Sequence, residues 1–235
     1  MTTFWVGVSG FSYVSWIGRF YPEGTRAGKM LEAYSTKLHS VELNLTFYHS
    51  PTQTTTSKWA DSTPRDFRFS FKANRKITHF KRLKDTKTDL DLFLHKLKPL
   101  QEKLGCLLVQ LPPYMKADFD VLEKFLTEKP DSIRVALEFR NESWFRDQLS
   151  SLLSKYDTAL CVADTEDMKP VFQQTSQFMY VRLRRELYSK ADLKSWSEMI
   201  HSQANESGDC FIYFKHDETG QAANMAVEFD SMLNN

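Results

Sequence analysis

The chain has 235 residues, of which 41% are hydrophobic and 26% are charged, a composition typical of a folded globular protein. Its 31 lysines and arginines almost balance its 30 aspartates and glutamates, so a general basic coat for nucleic acid is excluded. No apolar run reaches the ~18 residues of a membrane span, and we expect no membrane partner. Residues 1–7 lack the basic start of a secretory signal, which favours a cytoplasmic protein.

Three cysteines, Cys106, Cys161 and Cys210, lie far apart in apolar segments. An odd count without Cys-x-x-Cys spacing argues against a disulfide framework or a zinc ribbon. We therefore expect three buried, reduced thiols.

Short apolar runs, rich in β-branched and aromatic residues, alternate along the chain with stretches whose apolar residues recur every three to four positions. Ser189 and Asp192 have the spacing of a capping box and predict a helix start. In chain order, the patterns predict strand 4–8, helix 30–38, strand 40–43, helix 52–62, strand 67–72, helix 90–104 with a kink at Pro99, strand 106–110, helix 119–126, strand 133–138, helix 145–156, strand 159–163, a segment after Asp164 that Pro170 interrupts, strand 178–182, helix 193–200, strand 210–214 and helix 222–233.

Eight strands alternating with about eight helices predict an α/β fold, a (β/α)₈ TIM-barrel-like architecture. A doubly wound sheet usually has five or six strands and often a glycine-rich first turn, and neither feature is present. No linker or low-complexity segment interrupts the pattern, so we expect one domain over residues 1–235.

Every predicted strand ends in a polar residue after an apolar run. Barrels of this kind place their functional sites at the C-terminal ends of the strands. Because alternate strand residues share a face, Glu42 lies on the same side as Asn44, and Glu138 on the same side as Arg140. We therefore expect the strand-end residues to converge on the mouth of the barrel.

The predicted site combines carboxylates with cations. The cations suit a phosphate or carboxylate ligand, whereas paired carboxylates suit acid–base chemistry or glycoside hydrolysis. We interpret Glu138 as the central acid–base or ligand-orienting group, with burial raising its pKa and Arg140 lowering it. The candidate catalytic residues are Glu42, Glu138 and Asp164, and the candidate ligand-binding residues are Tyr13, Asn44, Tyr48, Lys72, His79, Gln110, Arg140, Arg182 and Lys215.

Two alternatives remain open at this level. His79 and His216 can join the carboxylates around a metal, but no His-Glu-x-x-His spacing occurs, and we predict neither a metal nor a particular cofactor. Residues 72–87 hold seven cations against Asp85, which suits phosphate contacts to nucleic acid. A barrel that binds a ligand without turnover fits the same residues, and the oligomeric state is not predicted.

Two motifs at strand ends follow a known pattern. The opening residues 7–13 are Gly-Val-Ser-Gly-Phe-Ser-Tyr, and residues 41–48 are Val-Glu-Leu-Asn-Leu-Thr-Phe-Tyr. They resemble the motifs G-T-S-G-[WY]-x-Y and V-E-[IL]-N-x-T-F-Y of the DUF72 (YecE-like) family. The resemblance implies a TIM-barrel-like fold without an established biochemical function. Arg184-Arg185 stand where the family often has His-Gly, and Lys215-His216-Asp217 stand near its paired asparagines. Further matching pieces are Gln110-Leu111-Pro112-Pro113, Glu138-Phe139-Arg140 and Tyr180-Val181-Arg182-Leu183.

Overall fold

The structure is a computed structural model that describes residues 2–166, 169–204 and 208–234. Its centre is a sheet in which every pair of neighbouring strands is parallel. The strands are β1 Thr3–Ser9, β2 Ser40–Leu43, β3 Arg68–Lys72, β4 Leu104–Gln110, β5 Val135–Glu138, β6 Ala159–Leu160, β7 Val162–Asp164, β8 Met179–Leu183 and β9 Asp209–Phe214.

The sheet is a nearly closed barrel with the order β6-β5-β4-β3-β2-β1-β9-β8-β7. Only Cys161 separates β6 from β7, and its amide donates to the carbonyl of Leu137 in β5 at 2.9 Å. The chain pairs with β5 before this residue and with β8 after it. The predicted sixth strand is therefore one stretch shared between two neighbours, and the predicted barrel is confirmed.

Helices pack outside the barrel between successive strands. The α-helices of the described residues are α1 Met30–Ser35, α2 Gln53–Asp61, α3 Lys87–Leu97, α4 Phe119–Glu128, α5 Asp147–Lys155, α6 Lys190–Gln203 and α7 Gln221–Asn234. The capping box at Ser189 and Asp192 begins α6 as predicted. At 14 residues, α6 and α7 are the longest of these, and no helix in the described residues is long and apolar enough to cross a membrane.

Two helix predictions need correction. The helix expected over residues 90–104 ends at Leu97, because Pro99 cannot continue an α-helix. A 3-10 segment, Lys98–Lys103, follows, and Gln101 within it adopts a φ of 49°. No helix occurs among the described residues between Asp164 and Met179. The described residues as a whole therefore contain seven α-helices rather than about eight.

The interior of the barrel is layered along its axis. A small buried cluster that includes Trp5, Cys106 and Phe211 fills the end where the strands begin. Above it, the Tyr213 hydroxyl contacts the Ser40 hydroxyl at 2.5 Å and donates to the Ser70 hydroxyl at 2.8 Å. Further along the strands the interior becomes charged. All three cysteines are buried free thiols, as predicted, and burial raises their pKa values.

A close approach between β1 and β2 requires glycine at position 7. The Tyr34 hydroxyl accepts from the Val8 amide at 2.9 Å and donates to the Ser40 carbonyl at 2.8 Å, so this side chain joins the two strands. A Cβ on Gly7 would lie 2.0 Å from the same Ser40 oxygen, which belongs to the backbone and has little freedom to move.

We predict that Gly7→Ala lowers the free energy of unfolding by at least about 2 kcal/mol, because the added methyl must displace a buried strand. Gly28→Ala is the matched control, since nothing lies within 4 Å of a Cβ there. Its effect should stay within about 0.5 kcal/mol. Urea unfolding of both variants measures the difference, and equal losses would contradict the packing argument.

Candidate functional site

A buried arginine bridges two buried glutamates at the mouth of the barrel. Arg182 in β8 donates from one terminal nitrogen to Glu42 in β2 at 2.9 Å and from the other to Glu138 in β5 at 2.5 Å. All three side chains are almost fully buried, with 2% exposure or less. We call Glu42, Glu138 and Arg182 the mouth triad.

Each glutamate of the mouth triad has further partners. The Glu42 carboxylate accepts from the hydroxyls of Tyr180 at 2.8 Å and Ser9 at 2.7 Å, and from the Asn44 amide at 3.1 Å. The Glu138 carboxylate accepts from the Gln110 amide at 2.9 Å and forms an ion pair with Arg140. Such complete pairing is what a buried charge needs.

The arginines keep both carboxylates ionised. Burial alone would raise the pKa of Glu42, but Arg182 and Arg184 lower it to about 2. Burial would likewise raise the pKa of Glu138, but Arg182 and Arg140 bring it below its usual value. The balance that the sequence left open at Glu138 is therefore decided in favour of the arginines, and neither glutamate is a proton donor at neutral pH.

Lys72 lies beside the triad, at the end of β3. Its ammonium donates to the Gln110 side-chain oxygen at 2.7 Å and lies 4.4 Å from the centroid of the Phe47 ring. Burial and the neighbouring Arg182 lower its pKa to about 8. The His79 ring also contacts Phe47, edge to face, with a centroid distance of 4.8 Å.

Arg184, like Lys72, is a cation of the mouth that has no carboxylate partner among the described residues. It follows Arg182 by two positions, and it donates to the Ser9 hydroxyl at 2.7 Å. Burial and the repulsion of Arg182 lower its pKa to about 10. Counting Arg140 and Lys72 as well, the mouth contains four cations and the two glutamates of the triad, an excess of two positive charges.

A cavity of about 610 Å³ opens next to this charged group, between the loops that follow β1 and β2. Ser9 and Asn44 line it together with the aromatic rings of Phe11, Tyr13 and Trp59. The Asn44 Oδ1 atom is buried and lacks a hydrogen-bond partner in the described part of the chain. The cavity therefore has mainly apolar walls and lies close to Glu42, which binds both Ser9 and Asn44.

Asp164 is the one candidate catalytic carboxylate that binds elsewhere. Its side chain accepts from Arg185 and from the Tyr188 hydroxyl, both at 2.8 Å, in the loop after β8. Alternation along the strand explains this: Cys161 and Ala163 belong to the interior cluster of the barrel, so Asp164 has the opposite orientation. Neither Arg185 nor Tyr188 belongs to the mouth triad.

The remaining candidates lie around the rim. The Tyr13 hydroxyl donates to the Ser9 carbonyl at 2.9 Å, its ring stacks on His216, and burial raises its pKa to about 12. Tyr48 is 56% exposed and contacts Phe47 and Arg75 rather than the triad. Lys215 is half-buried at the end of β9, and its amide donates to the Leu183 carbonyl at 2.8 Å.

The start of α7 is occupied by a carboxylate of the chain itself. Asp217 accepts from the amides of Gly220, Gln221 and Ala222, the last at 2.6 Å. Barrels often bind phosphate at a helix N-terminus near the last two strands. Here the Asp217 side chain fills that position.

No group of three or more His, Cys, Asp or Glu side chains is placed to hold a metal in residues 2–166, 169–204 and 208–234. His79 contacts the Thr78 hydroxyl at 2.9 Å, and His216 stacks on Tyr13. The two histidines are therefore partners of other side chains and not of the triad.

Acids of α3 neutralise part of the basic segment 72–87. Asp89 pairs with both Lys76 and Lys81 at 2.7 Å, and Asp91 pairs with Lys87 at 2.7 Å. The segment therefore presents fewer free charges than its sequence indicates. Two of its arginines lie over exposed aromatic rings instead, Arg75 over Tyr48 and Phe80, and Arg82 over Tyr114.

Sequence reasoning missed Ser9, Tyr180 and Arg184 as members of the site. Tyr180, Arg182 and Arg184 are spaced by two residues, so they lie on the same face of β8 and of its extension. This spacing, applied to either side of Arg182, predicts that Tyr180 and Arg184 also face the mouth. Ser9 is the last residue of β1, and it is the register partner of Glu42, the last residue of β2 that pairs with β1.

The fold and the site define a class: a parallel α/β barrel with a buried, cation-rich mouth. The family model described as "Protein of unknown function DUF72" matches residues 5–235, so the chain belongs to the DUF72 family. It is 26% identical to UPF0759 protein YunF of Bacillus subtilis over 91% of this chain and 89% of that protein. It is 30% identical to UPF0759 protein YecE of Escherichia coli K12 over 53% of this chain and 47% of that protein.

Solved structures have the same fold. A DUF72 family protein from Thermotoga maritima superposes with a TM-score of 0.84 at 29% identity, covering 99% of this chain and 100% of that one. A DUF72 family protein from Enterococcus faecalis superposes with a TM-score of 0.74 at 21% identity, covering 90% and 96%. The family resemblance and the barrel architecture inferred from the sequence are thereby confirmed.

We predict that Glu42 makes the fold acid-sensitive. Its folded pKa of about 2 lies below the ordinary glutamate pKa of 4.5, so its stabilisation is present above pH ~4.5 and is lost as the pH falls towards 2. The full effect is about 3 kcal/mol. Urea unfolding from pH 7 down to pH 2.5 should therefore show a steeper loss of stability in the wild type than in Glu42→Gln.

The matched control is Glu32→Gln, which removes an exposed glutamate whose partner is Lys29 at 2.6 Å. Exposed pairs of this kind contribute little, so this variant should follow the wild-type pH profile. Identical pH slopes for Glu42→Gln and the wild type would contradict the low pKa.

Proposed function

We propose that the mouth of the barrel binds an anionic small molecule of the phosphate or carboxylate class. The observation behind the proposal is Arg184, a largely buried guanidinium that has only the Ser9 hydroxyl as a side-chain partner among the described residues. Guanidinium groups bind phosphate and carboxylate through paired charge-assisted hydrogen bonds. A bound anion would balance the excess positive charge that the two glutamates leave at the mouth.

The adjacent cavity sets a requirement on the rest of the ligand. Its walls are mainly apolar. A ligand that fits both parts has an anionic group near Arg184 and an uncharged body. A phosphorylated sugar or a similar compound meets this description.

The mouth triad orients the cations instead of transferring protons. Glu42 and Glu138 bind the two terminal nitrogens of one guanidinium, so Arg182 occupies the space between them that a glycosidic bond would need. Both carboxylates are ionised at neutral pH. We therefore favour a ligand-orienting role for Glu138, through Gln110 and Arg140, over a role as a general acid.

Nucleic-acid binding by segment 72–87 stays a prediction. Three of its lysines, Lys76, Lys81 and Lys87, are paired with Asp89 or Asp91, whereas the excess charge of the site lies among partly and fully buried side chains of the mouth. A filter-binding assay with generic DNA and RNA across salt concentrations distinguishes the two ideas, because phosphate-backbone binding weakens steeply with salt.

We predict that inorganic phosphate and sulfate raise the melting temperature of the wild type, because a ligand of the folded state stabilises it by mass action. Arg184→Gln should weaken this binding by about 10- to 100-fold, the usual effect of losing a charged hydrogen bond. A thermal-shift titration at constant ionic strength, balanced with potassium chloride, gives the apparent dissociation constants.

Arg65→Gln is the charge-matched control. Arg65 is 91% exposed, pairs with Glu102 at 3.5 Å, and precedes β3 at the opposite end of the barrel. This variant should keep the wild-type response to phosphate. An absent response in the wild type, or equal responses in the two variants, would remove the support for an anion site at Arg184.

A further inference from the structure

Lys72 has surroundings that differ from those of an ordinary surface lysine. Its Nζ atom contacts two neutral groups, the Gln110 oxygen and the Phe47 ring, and forms no ion pair in the described part of the chain. Gln110 is itself fixed, because its amide donates to Glu138. The amine is therefore held in one place at the mouth, and it stays partly accessible.

The charges around Lys72 act in opposite directions on its protonation. Arg182 and Arg184 disfavour the ammonium form of Lys72, whereas Glu138 and Glu42 favour it. The His79 ring contacts the same Phe47 ring that Lys72 contacts. Burial is the largest effect and also disfavours the ammonium. With a pKa of about 8, about 10% of the side chain is a neutral amine at pH 7, against about 0.04% for an ordinary lysine.

We propose that Lys72 is a nucleophile that forms an imine with a carbonyl group of the anionic ligand. The inference rests on the proposed function and narrows its ligand class to aldehydes or ketones that also contain a phosphate or carboxylate. A positioned amine, a fixed hydrogen-bond acceptor for one of its protons and an excess of cations meet at one end of the barrel. Buried lysines next to cationic groups are the usual imine-forming nucleophiles.

The step balances as follows. The Nζ lone pair forms a bond to the carbonyl carbon, and the electron pair of the C=O bond moves to oxygen. The nitrogen releases one proton and the oxygen takes one up, which gives a neutral carbinolamine. A second proton then protonates the hydroxyl, which leaves as water, while the nitrogen lone pair forms the C=N bond and the nitrogen releases its second proton, so that two protons are taken up and two are released. The excess positive charge of the mouth, which Arg184 carries, stabilises the negative charge that develops on oxygen in the first half.

Reductive trapping tests the inference. The wild-type protein is incubated with pyridoxal 5′-phosphate, which combines an aldehyde with a phosphate, and sodium cyanoborohydride converts the imine to a stable secondary amine. Peptide mass spectrometry locates the modified lysine. At pH 7 we expect Lys72 to react roughly 100-fold faster than exposed lysines, from the ratio of neutral amine. Its initial rate should rise with pH through a midpoint near 8.

Two variants and one matched probe serve as controls. Lys72→Arg keeps the positive charge but has no nucleophilic amine, so the label at position 72 should disappear. Lys103→Arg should leave the label on Lys72 unchanged, because Lys103 donates to the carbonyls of Ala60 and Thr63 at the other end of the barrel. Pyridoxal, the same aldehyde without phosphate, should react at least 10-fold more slowly, and inorganic phosphate should compete with pyridoxal 5′-phosphate only. Glyoxylate, a much smaller aldehyde with a carboxylate, should also modify Lys72.

The possible failures are distinguishable. If phosphate binds in an Arg184-dependent manner but neither pyridoxal 5′-phosphate nor glyoxylate modifies Lys72 at pH 8, the anion site stands and the imine inference is overturned. If Lys72 reacts equally with pyridoxal and pyridoxal 5′-phosphate, and phosphate does not compete, the amine is a nucleophile and the proposed anion site is overturned.

Discussion

The mouth of the barrel depends on one guanidinium. Arg182 binds a carboxylate from β2 and a carboxylate from β5, so a single side chain of β8 connects three strands across the interior. Removing three charges from water costs several kcal/mol for each ion unless every one is paired. The surrounding polar groups satisfy that requirement: Ser9, Asn44 and Tyr180 bind Glu42, and Gln110 and Arg140 bind Glu138. The triad is thus the fixed part of the site, and the groups that remain available to a ligand are those that it does not use.

This division explains why the mouth is positive although the whole chain is almost neutral. The two glutamates are already committed to Arg182, so they neutralise Arg184 and Lys72 only at a distance. Both of these cations are bonded to neutral partners, the Ser9 hydroxyl and the Gln110 amide, and both have lowered pKa values because of burial. An interior of low polarity strengthens the electrostatic attraction between such unbalanced cations and an anion. A small anion that enters the mouth meets cations that are already oriented.

The period-2 pattern and the strand ends were sufficient to predict the barrel and to bring Glu42, Lys72, Gln110, Glu138 and Arg182 together. Each of these side chains lies at or next to the C-terminal end of a predicted strand, and alternation along the strand sets its face. The same reasoning misplaced Asp164, because the interruption at Cys161 leaves too short a run to show which residues face inward. Arg184 was missed because it follows the last residue of β8, and its orientation is fixed by Ser9 of β1, a partner 175 positions away in sequence. Contacts of that kind depend on barrel closure, which no local pattern records.

The layering of the interior connects the fold to the chemistry. Apolar side chains such as Trp5 and Phe211 fill the closed end, and the hydroxyls of Ser40, Ser70 and Tyr213 form the next layer below the triad. Buried side chains therefore lie beneath the ions, which are solvated by protein groups of fixed geometry. A preorganised environment of this kind changes pKa values without any movement of the chain. The lowered pKa of Lys72 thus follows from its position at the end of β3, where it is partly buried beside Arg182. It does not require a lid or a conformational change.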